Sequence, residues 1–280
     1  GRLLADAAAR SRAVFQTATE DRSVPVYHRM AELVRNGRIG RLERIEVGLP
    51  SGPGRPGDAT PKSVPPRLDW DMWLGPAPDA PYRSGLHAFH WRWHRDYSGG
   101  QLTDWGAHLL DTVQWAHDTE RTGPVEIEGT GRRHENGLYD TYHTYKLHYK
   151  YADGVEMVVT SGRPSTRFIG SDGWLGNANW EAKLEASSPQ ILHSKIAPNE
   201  LHLFTCPQGE HRNFLDCVKS RRDPYFPAEI GHRCCSIAHL GNIAMDLGRR
   251  LRWDPDREEF IDDETANRMR SRALRQPWRM

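Results

Sequence analysis

Two Asp-Gly dipeptides constrain this chain most. Asp153-Gly154 and Asp172-Gly173 each separate short runs rich in apolar and β-branched residues. Asp-Gly adopts the positive φ angles of a tight hairpin turn, and such turns join antiparallel neighbours. The runs around them predict strands over 125–132, 144–151, 155–161, 167–169 and 180–186. Consecutive hairpins of this kind build a large, open, mostly antiparallel sheet.

The N-terminal part has a different rhythm. Residues 2–11 are rich in Ala and Leu and predict a helix, and 13–17 read as a short apolar strand. A second helix is predicted over 25–36, with Pro25 at its start and Gly37 at its end, as capping preferences require. Its residues Val26, Met30, Leu33 and Val34 keep a helical period. Residues 42–49 alternate apolar and polar side chains, which predicts a strand with one wet face. Further helices are predicted over 104–117, 209–220 and 228–247. The opening α/β alternation resembles the end of a doubly wound domain more than a whole one. The expected fold class is therefore α/β: a Rossmann-type remnant over 1–40, then an α+β-like domain over 41–280 with helices on one face of its sheet.

Composition excludes some partners. The 280 residues carry 38 basic and 37 acidic side chains, a net charge of +1. That balance argues against nucleic acid or an anionic membrane surface. No run approaches the roughly 20 apolar residues of a membrane helix. Cys206, Cys217, Cys234 and Cys235 contain no C-x-x-C pair, so they are expected to be free thiols, which suits a reducing, cytoplasmic compartment. The chain begins Gly1-Arg2-Leu3-Leu4 and reads as cut from something longer, so an export signal is left open. The acidic run 254–264 and the Arg-rich run 268–279 are expected to be solvated faces.

Three motifs bear on chemistry. Gly52-Pro53-Gly54-Arg55-Pro56-Gly57 has the literal G-x-G-x-x-G spacing. Pro53 and Pro56 lack the backbone N–H groups a pyrophosphate needs, and no helix can follow at once, so a loop is expected. Asp104 and His108 stand one helical turn apart after Gly99-Gly100, with Thr103 or Asp104 as the expected helix cap. A carboxylate beside an imidazole can orient it and favour its protonated form; the same pair also suits a structural hydrogen bond. The third motif is 87–94, where His87, His90 and His94 have spacings compatible with a metal, although nothing fixes the stretch as a helix. Its Trp and Arg side chains better suit a sugar ring and its hydroxyls. Tyr82, His90, Trp91, Arg92 and Trp93 are the candidate substrate contacts, and no metal site is assigned.

The frame Gly-Gly-x-x-x-Asp-x-Gly-x-His-x-x-Asp over 99–111 resembles the signature of the Gfo/Idh/MocA oxidoreductases. Residues 69–78 and Trp91-Arg92-Trp93 are similar to a Trp-rich bacterial branch of that family. The resemblance implies NAD or NADP as cofactor and a sugar, polyol or glycoside hydroxyl as substrate. It makes His108 the acid/base while Asp104 positions the substrate and tunes the imidazole. It also makes the stretch 13–20, followed by Arg22, the last Rossmann strand, with Gln16 and Arg22 toward the cofactor. A homodimer or homotetramer through the sheet is implied as well. The family's glycine fingerprint and its Glu-Lys-Pro lysine are not found in the chain. Two other readings stand beside this one: a non-catalytic carbohydrate-binding or assembly module, and a His-cluster metalloenzyme.

Overall fold

Both Asp-Gly dipeptides form hairpins. In the computed structural model, which describes residues 1–86 and 89–278, β3 and β4 pair antiparallel across the first and β5 and β6 across the second. The strands are β1 (Leu42–Pro50), β2 (Glu126–Arg132), β3 (Thr144–Lys150), β4 (Glu156–Gly162), β5 (Ser165–Gly170), β6 (Gly173–Asn177), β7 (Glu185–Ala186), β8 (Leu251–Asp254) and β9 (Glu259–Phe260). They form a nine-stranded sheet in the order β7-β6-β5-β1-β4-β3-β2-β8-β9. β1 is inserted between β5 and β4 and runs parallel to β4; the other pairings are antiparallel.

The helices are α1 (Arg2–Ser11), α2 (Pro25–Arg35), α3 (Trp70–Leu74), α4 (Gln101–Asp104), α5 (Gly106–Ala116), α6 (Pro189–His193), α7 (Glu210–Ser220), α8 (Ala228–Leu247) and α9 (Glu264–Arg268). α2, α5 and α8 bury their apolar residues with one face of the sheet in a single core. The period of β3 records this. Tyr145, Leu147 and Tyr149 are buried, while Lys146, His148 and Lys150 between them are exposed. Two tyrosine hydroxyls tie the layers together: Tyr149 donates to the Ile237 carbonyl at 3.2 Å and Tyr151 to Gln114 Oε1 at 2.9 Å. The opposite face is open and charged. Glu128 sits opposite His148 and accepts from Arg250 at 3.0 and 3.1 Å.

Four expectations need correction. Residues 13–19 form no strand, because among the described residues no strand lies beside them; Thr17 instead lies against Gly231 of α8, and its N–H donates to the carbonyl of Phe226, just before that helix, at 2.9 Å. Residues 180–184 are not strand either, since Glu181 turns through a φ of 54° and its N–H donates to the Tyr27 hydroxyl at 3.1 Å. The helix expected at Asp104 begins earlier, at Gln101, with Gly100 at its N-cap. Gly100 has a φ of +76°, and a Cβ there would lie 2.6 Å from Thr141 Cβ, so both conformation and space call for glycine. Thr103 is inside the first turn and reaches back, accepting from Gly99 N–H at 3.2 Å and donating to the Gly100 carbonyl at 2.9 Å.

The charged runs near the C-terminus, finally, are not merely solvated. Glu258 accepts from Arg2 at 2.8 and 2.9 Å and meets His232 at 2.7 Å, fastening α1 to α8. Arg275 donates to Asp71 Oδ1 at 2.6 Å and to the Gly75 carbonyl at 2.9 Å, so the tail lies against α3.

Candidate active site

The site forms where three distant pieces of chain meet. His108 stands in the first turn of α5 and is half-buried. A short 3-10 turn, Glu20–Ser23, brings Glu20 Oε1 to 3.5 Å and Asp21 Oδ1 to 3.6 Å from His108 Nδ1. These are ion-pair rather than hydrogen-bond distances. The turn is held in place by its neighbour Arg22, whose buried guanidinium donates to both oxygens of Asp111 at 2.6 and 2.7 Å and to Glu120 at 2.5 Å. Asp111 lies one helical turn beyond His108, so the clamp aligns turn and helix.

The third piece is the loop after β6. Trp180 Nε1–H donates toward Asp21 at 3.3 and 3.4 Å. Its ring stands edge-on to Trp105 at 5.4 Å and to His108 at 6.1 Å, and Trp105 lies 5.7 Å from His108. The imidazole therefore has indole rings beside it and carboxylates at Nδ1. The Asp21 carboxylate is the main reason the imidazole is held above its ordinary titration range; burial opposes this, and Glu20 and Asp104 add to it.

Asp104 does not bond to His108. Its Oδ2 accepts from Arg92 Nη1 at 3.3 Å, and the Arg92 guanidinium lies 3.8 Å from the centre of the Phe89 ring. The expected pair is thus a longer-range electrostatic one, with Arg92 drawing Asp104 toward the Trp-rich segment. Trp91 and His90 are exposed, and His90 stacks on Tyr139 at 6.0 Å. Tyr82 and Trp93 are buried instead. Tyr82 packs edge-on against Trp70, which itself stacks on Trp73 at 4.7 Å, so much of the Trp-rich segment is spent on its own packing. In the His trio, His87 lies outside the described residues, and His94 packs against Tyr97. Among the described residues it is Glu20, Asp21 and His108 whose ligand atoms come within 4.8 Å of one another.

The two residues expected toward a cofactor differ. Arg22 is buried in its clamp with Asp111 and Glu120. Gln16 donates to the Glu210 carbonyl at 3.3 Å, while its Oε1 is buried without a hydrogen-bond partner. Gly52–Gly57 is loop, with Leu138 N–H on the Pro56 carbonyl at 2.8 Å and no helix behind it. Sequence reasoning missed Glu20, Asp21 and Trp180. Nothing local marks them, since their roles arise only when residues far apart in the chain converge.

The fold thus brings a half-buried imidazole, two carboxylates and two indole rings together at one place. Residues 56–280 match the oxidoreductase family, C-terminal alpha/beta domain, of the Gfo/Idh/MocA group, and the chain belongs to that family. The fold also matches solved structures. Aldose-aldose oxidoreductase from Caulobacter crescentus, complexed with glycerol, is 14% identical with a TM-score of 0.62, covering 90% of this chain and 67% of that one. The WlbA dehydrogenase from Bordetella pertussis, complexed with NADH and UDP-GlcNAcA, is 13% identical with a TM-score of 0.62, covering 90% and 68%. Levoglucosan dehydrogenase, complexed with NADH and L-sorbose, is 14% identical with a TM-score of 0.61, covering 90% and 69%. The chain thus spans about two thirds of the length of these structures. No curated protein matches it. Among the described residues, no helix is long and apolar enough to cross a membrane.

Proposed function

We propose that this chain is the substrate-binding part of an oxidoreductase acting on a hydroxyl of a sugar, polyol or glycoside, with His108 as its acid/base and NAD or NADP as hydride acceptor. The observation that carries this reading is the His108 environment: one ring nitrogen turned to Glu20 and Asp21, and two indole rings beside the imidazole. Trp105, Trp180 and Trp91 offer flat apolar surface with polar edges, which suits a sugar ring. Arg92 and Asp104 add a donor and an acceptor for hydroxyls. The sugar-related names of the structural neighbours support the substrate class, and the NADH in two of them supports the cofactor.

One buried group in this chain is open to such a cofactor. The orphaned Gln16 Oε1 is a buried acceptor available to an amide or hydroxyl. No cradle for the phosphates is present among the described residues, since Arg22 is held by Asp111 and Glu120, and Gly52–Gly57 loses two N–H donors to Pro53 and Pro56 and leads into no helix. A bound nicotinamide would supply the acceptor for the hydride of the carbinol carbon. His108 takes the proton from the hydroxyl oxygen, and Asp21 with Glu20 steadies the imidazolium so formed. Arg92 and Asp104 orient the neighbouring hydroxyls. The charged open face of the sheet is the surface through which a homodimer or homotetramer would form.

The reading is tested by incubating the full-length protein with NAD or NADP and a panel of aldoses, polyols and glycosides while following absorbance of reduced nicotinamide. Reduction with at least one of them is expected. Sugar binding by calorimetry without any reduction would instead favour a non-catalytic carbohydrate-binding module.

A further inference from the structure

We propose that Asp21, aided by Glu20, is the positioning residue for His108: its carboxylate faces Nδ1 and favours a proton there, holds the ring beside Trp105 and Trp180, and leaves Nε2 to exchange a proton with substrate. The family resemblance gives this tuning role to Asp104. The geometry points elsewhere, because Asp104 is held by Arg92 at 3.3 Å while Asp21 faces Nδ1 at 3.6 Å.

Three features prepare Asp21 for the role. Its side chain is wholly buried, so its charge acts with little screening by water. It is held from behind by the Trp180 indole N–H. And it sits next to Arg22, whose bond to Asp111 fixes the 3-10 turn on the helix that carries His108. His108 Nδ1 is buried and has no hydrogen-bond partner within normal reach, so the Glu20 and Asp21 carboxylates are the charged groups it meets. Glu20 is the more exposed of the two and is screened accordingly. The other charged group that acts on the ring is Asp104, compensated by Arg92. Nε2 makes no hydrogen bond among the described residues, which leaves it as the exchanging nitrogen. The upward displacement of His108, caused first by Asp21, agrees with this arrangement.

The proposal is tested on the whole chain by nitrogen-15 NMR of the His108 ring against pH, in EDTA so that a bound cation plays no part. Asp21→Asn is expected to lower the titration midpoint by about one pH unit and to weaken the preference for the Nδ1–H tautomer. Asp104→Asn should move the midpoint less. An unchanged midpoint in Asp21→Asn, or a larger shift in Asp104→Asn, overturns the assignment. Should Asp21→Asn fail to fold, Glu20→Gln decides: a lowered midpoint is expected, and none overturns it. Only the meaning of this arrangement for catalysis rests on the proposed function. A protein with no dehydrogenase activity but an Asp21-dependent midpoint would sink that function and leave the positioning role standing.

Discussion

Arg22 and Asp111 meet in a two-point ion pair at 2.6 and 2.7 Å with both side chains almost wholly out of water. Because Arg22 follows Asp21 and Asp111 follows His108 by one helical turn, this joint sets the distance between acid and imidazole. It is costly to bury two charges, and the arrangement holds only while each has its partner.

Removing either partner should therefore unfold the protein readily. Asp111→Asn and Arg22→Ala are each expected to cost about 3–5 kcal/mol in urea unfolding, the range for breaking a buried pair. Arg22→Lys should also destabilise, since an ammonium cannot reproduce the fork. A loss under about 1 kcal/mol would mean that Arg22 has another role, including the cofactor role first expected of it.

The sign of the His108 effect on stability follows from its raised folded-state value. The stabilisation it gains from Asp21 is fully present below the unfolded imidazole value of about 6.5 and is lost as pH rises through the higher folded one. Each pH unit of displacement corresponds to about 1.4 kcal/mol. Comparing Tm of the wild type and Asp21→Asn from acid to mildly alkaline pH should show the pH-dependent part of the difference shrinking with rising pH. A difference that grows instead contradicts the pairing.

Gly231 lies inside α8, where alanine would ordinarily favour the helix by roughly 1 kcal/mol. A Cβ there would lie 2.3 Å from Thr17 Cγ2, so the extended segment leading to Glu20 and Asp21 docks on a bare backbone. Gly231→Ala should destabilise by about 1–3 kcal/mol, as overpacking does. Thr17→Ser, which removes the clashing methyl, should restore most of the loss; additive effects of the two changes would refute the contact.

Trp180→Phe keeps an aromatic ring and removes the donor to Asp21. It should leave folding within about 0.5–1.5 kcal/mol of the wild type while weakening sugar binding, measured by calorimetry, more than it lowers Tm. Unaltered sugar affinity would remove Trp180 from the site.

The sheet was legible in sequence because its signals are local. An Asp-Gly turn and a two-residue period need no knowledge of the rest of the chain, and α2 and α8 are bounded by Pro, Gly and a helical period within their own residues. Residues 13–17 carry the same apolar signal as a strand, but a strand is a pairing, and among the described residues no strand lies beside this one. The site was half legible. His108 and Asp104 stand in a recognisable frame, whereas Asp21 and Trp180 enter only through contacts between segments far apart in sequence. Trp93 and Tyr82 have the residue types of a sugar site, yet both are buried, Tyr82 edge-on against Trp70. Side-chain chemistry is visible in a sequence; which neighbour consumes it is not.

The central claim is that His108 transfers the proton in an oxidation of a sugar or polyol hydroxyl. The most direct measurement is the turnover number of His108→Ala with the best substrate of the wild type and NAD or NADP, alongside sugar affinity by calorimetry. The account predicts a fall of at least about a hundredfold in turnover, with sugar affinity changed far less. An unchanged turnover number in a folded His108→Ala protein would contradict it.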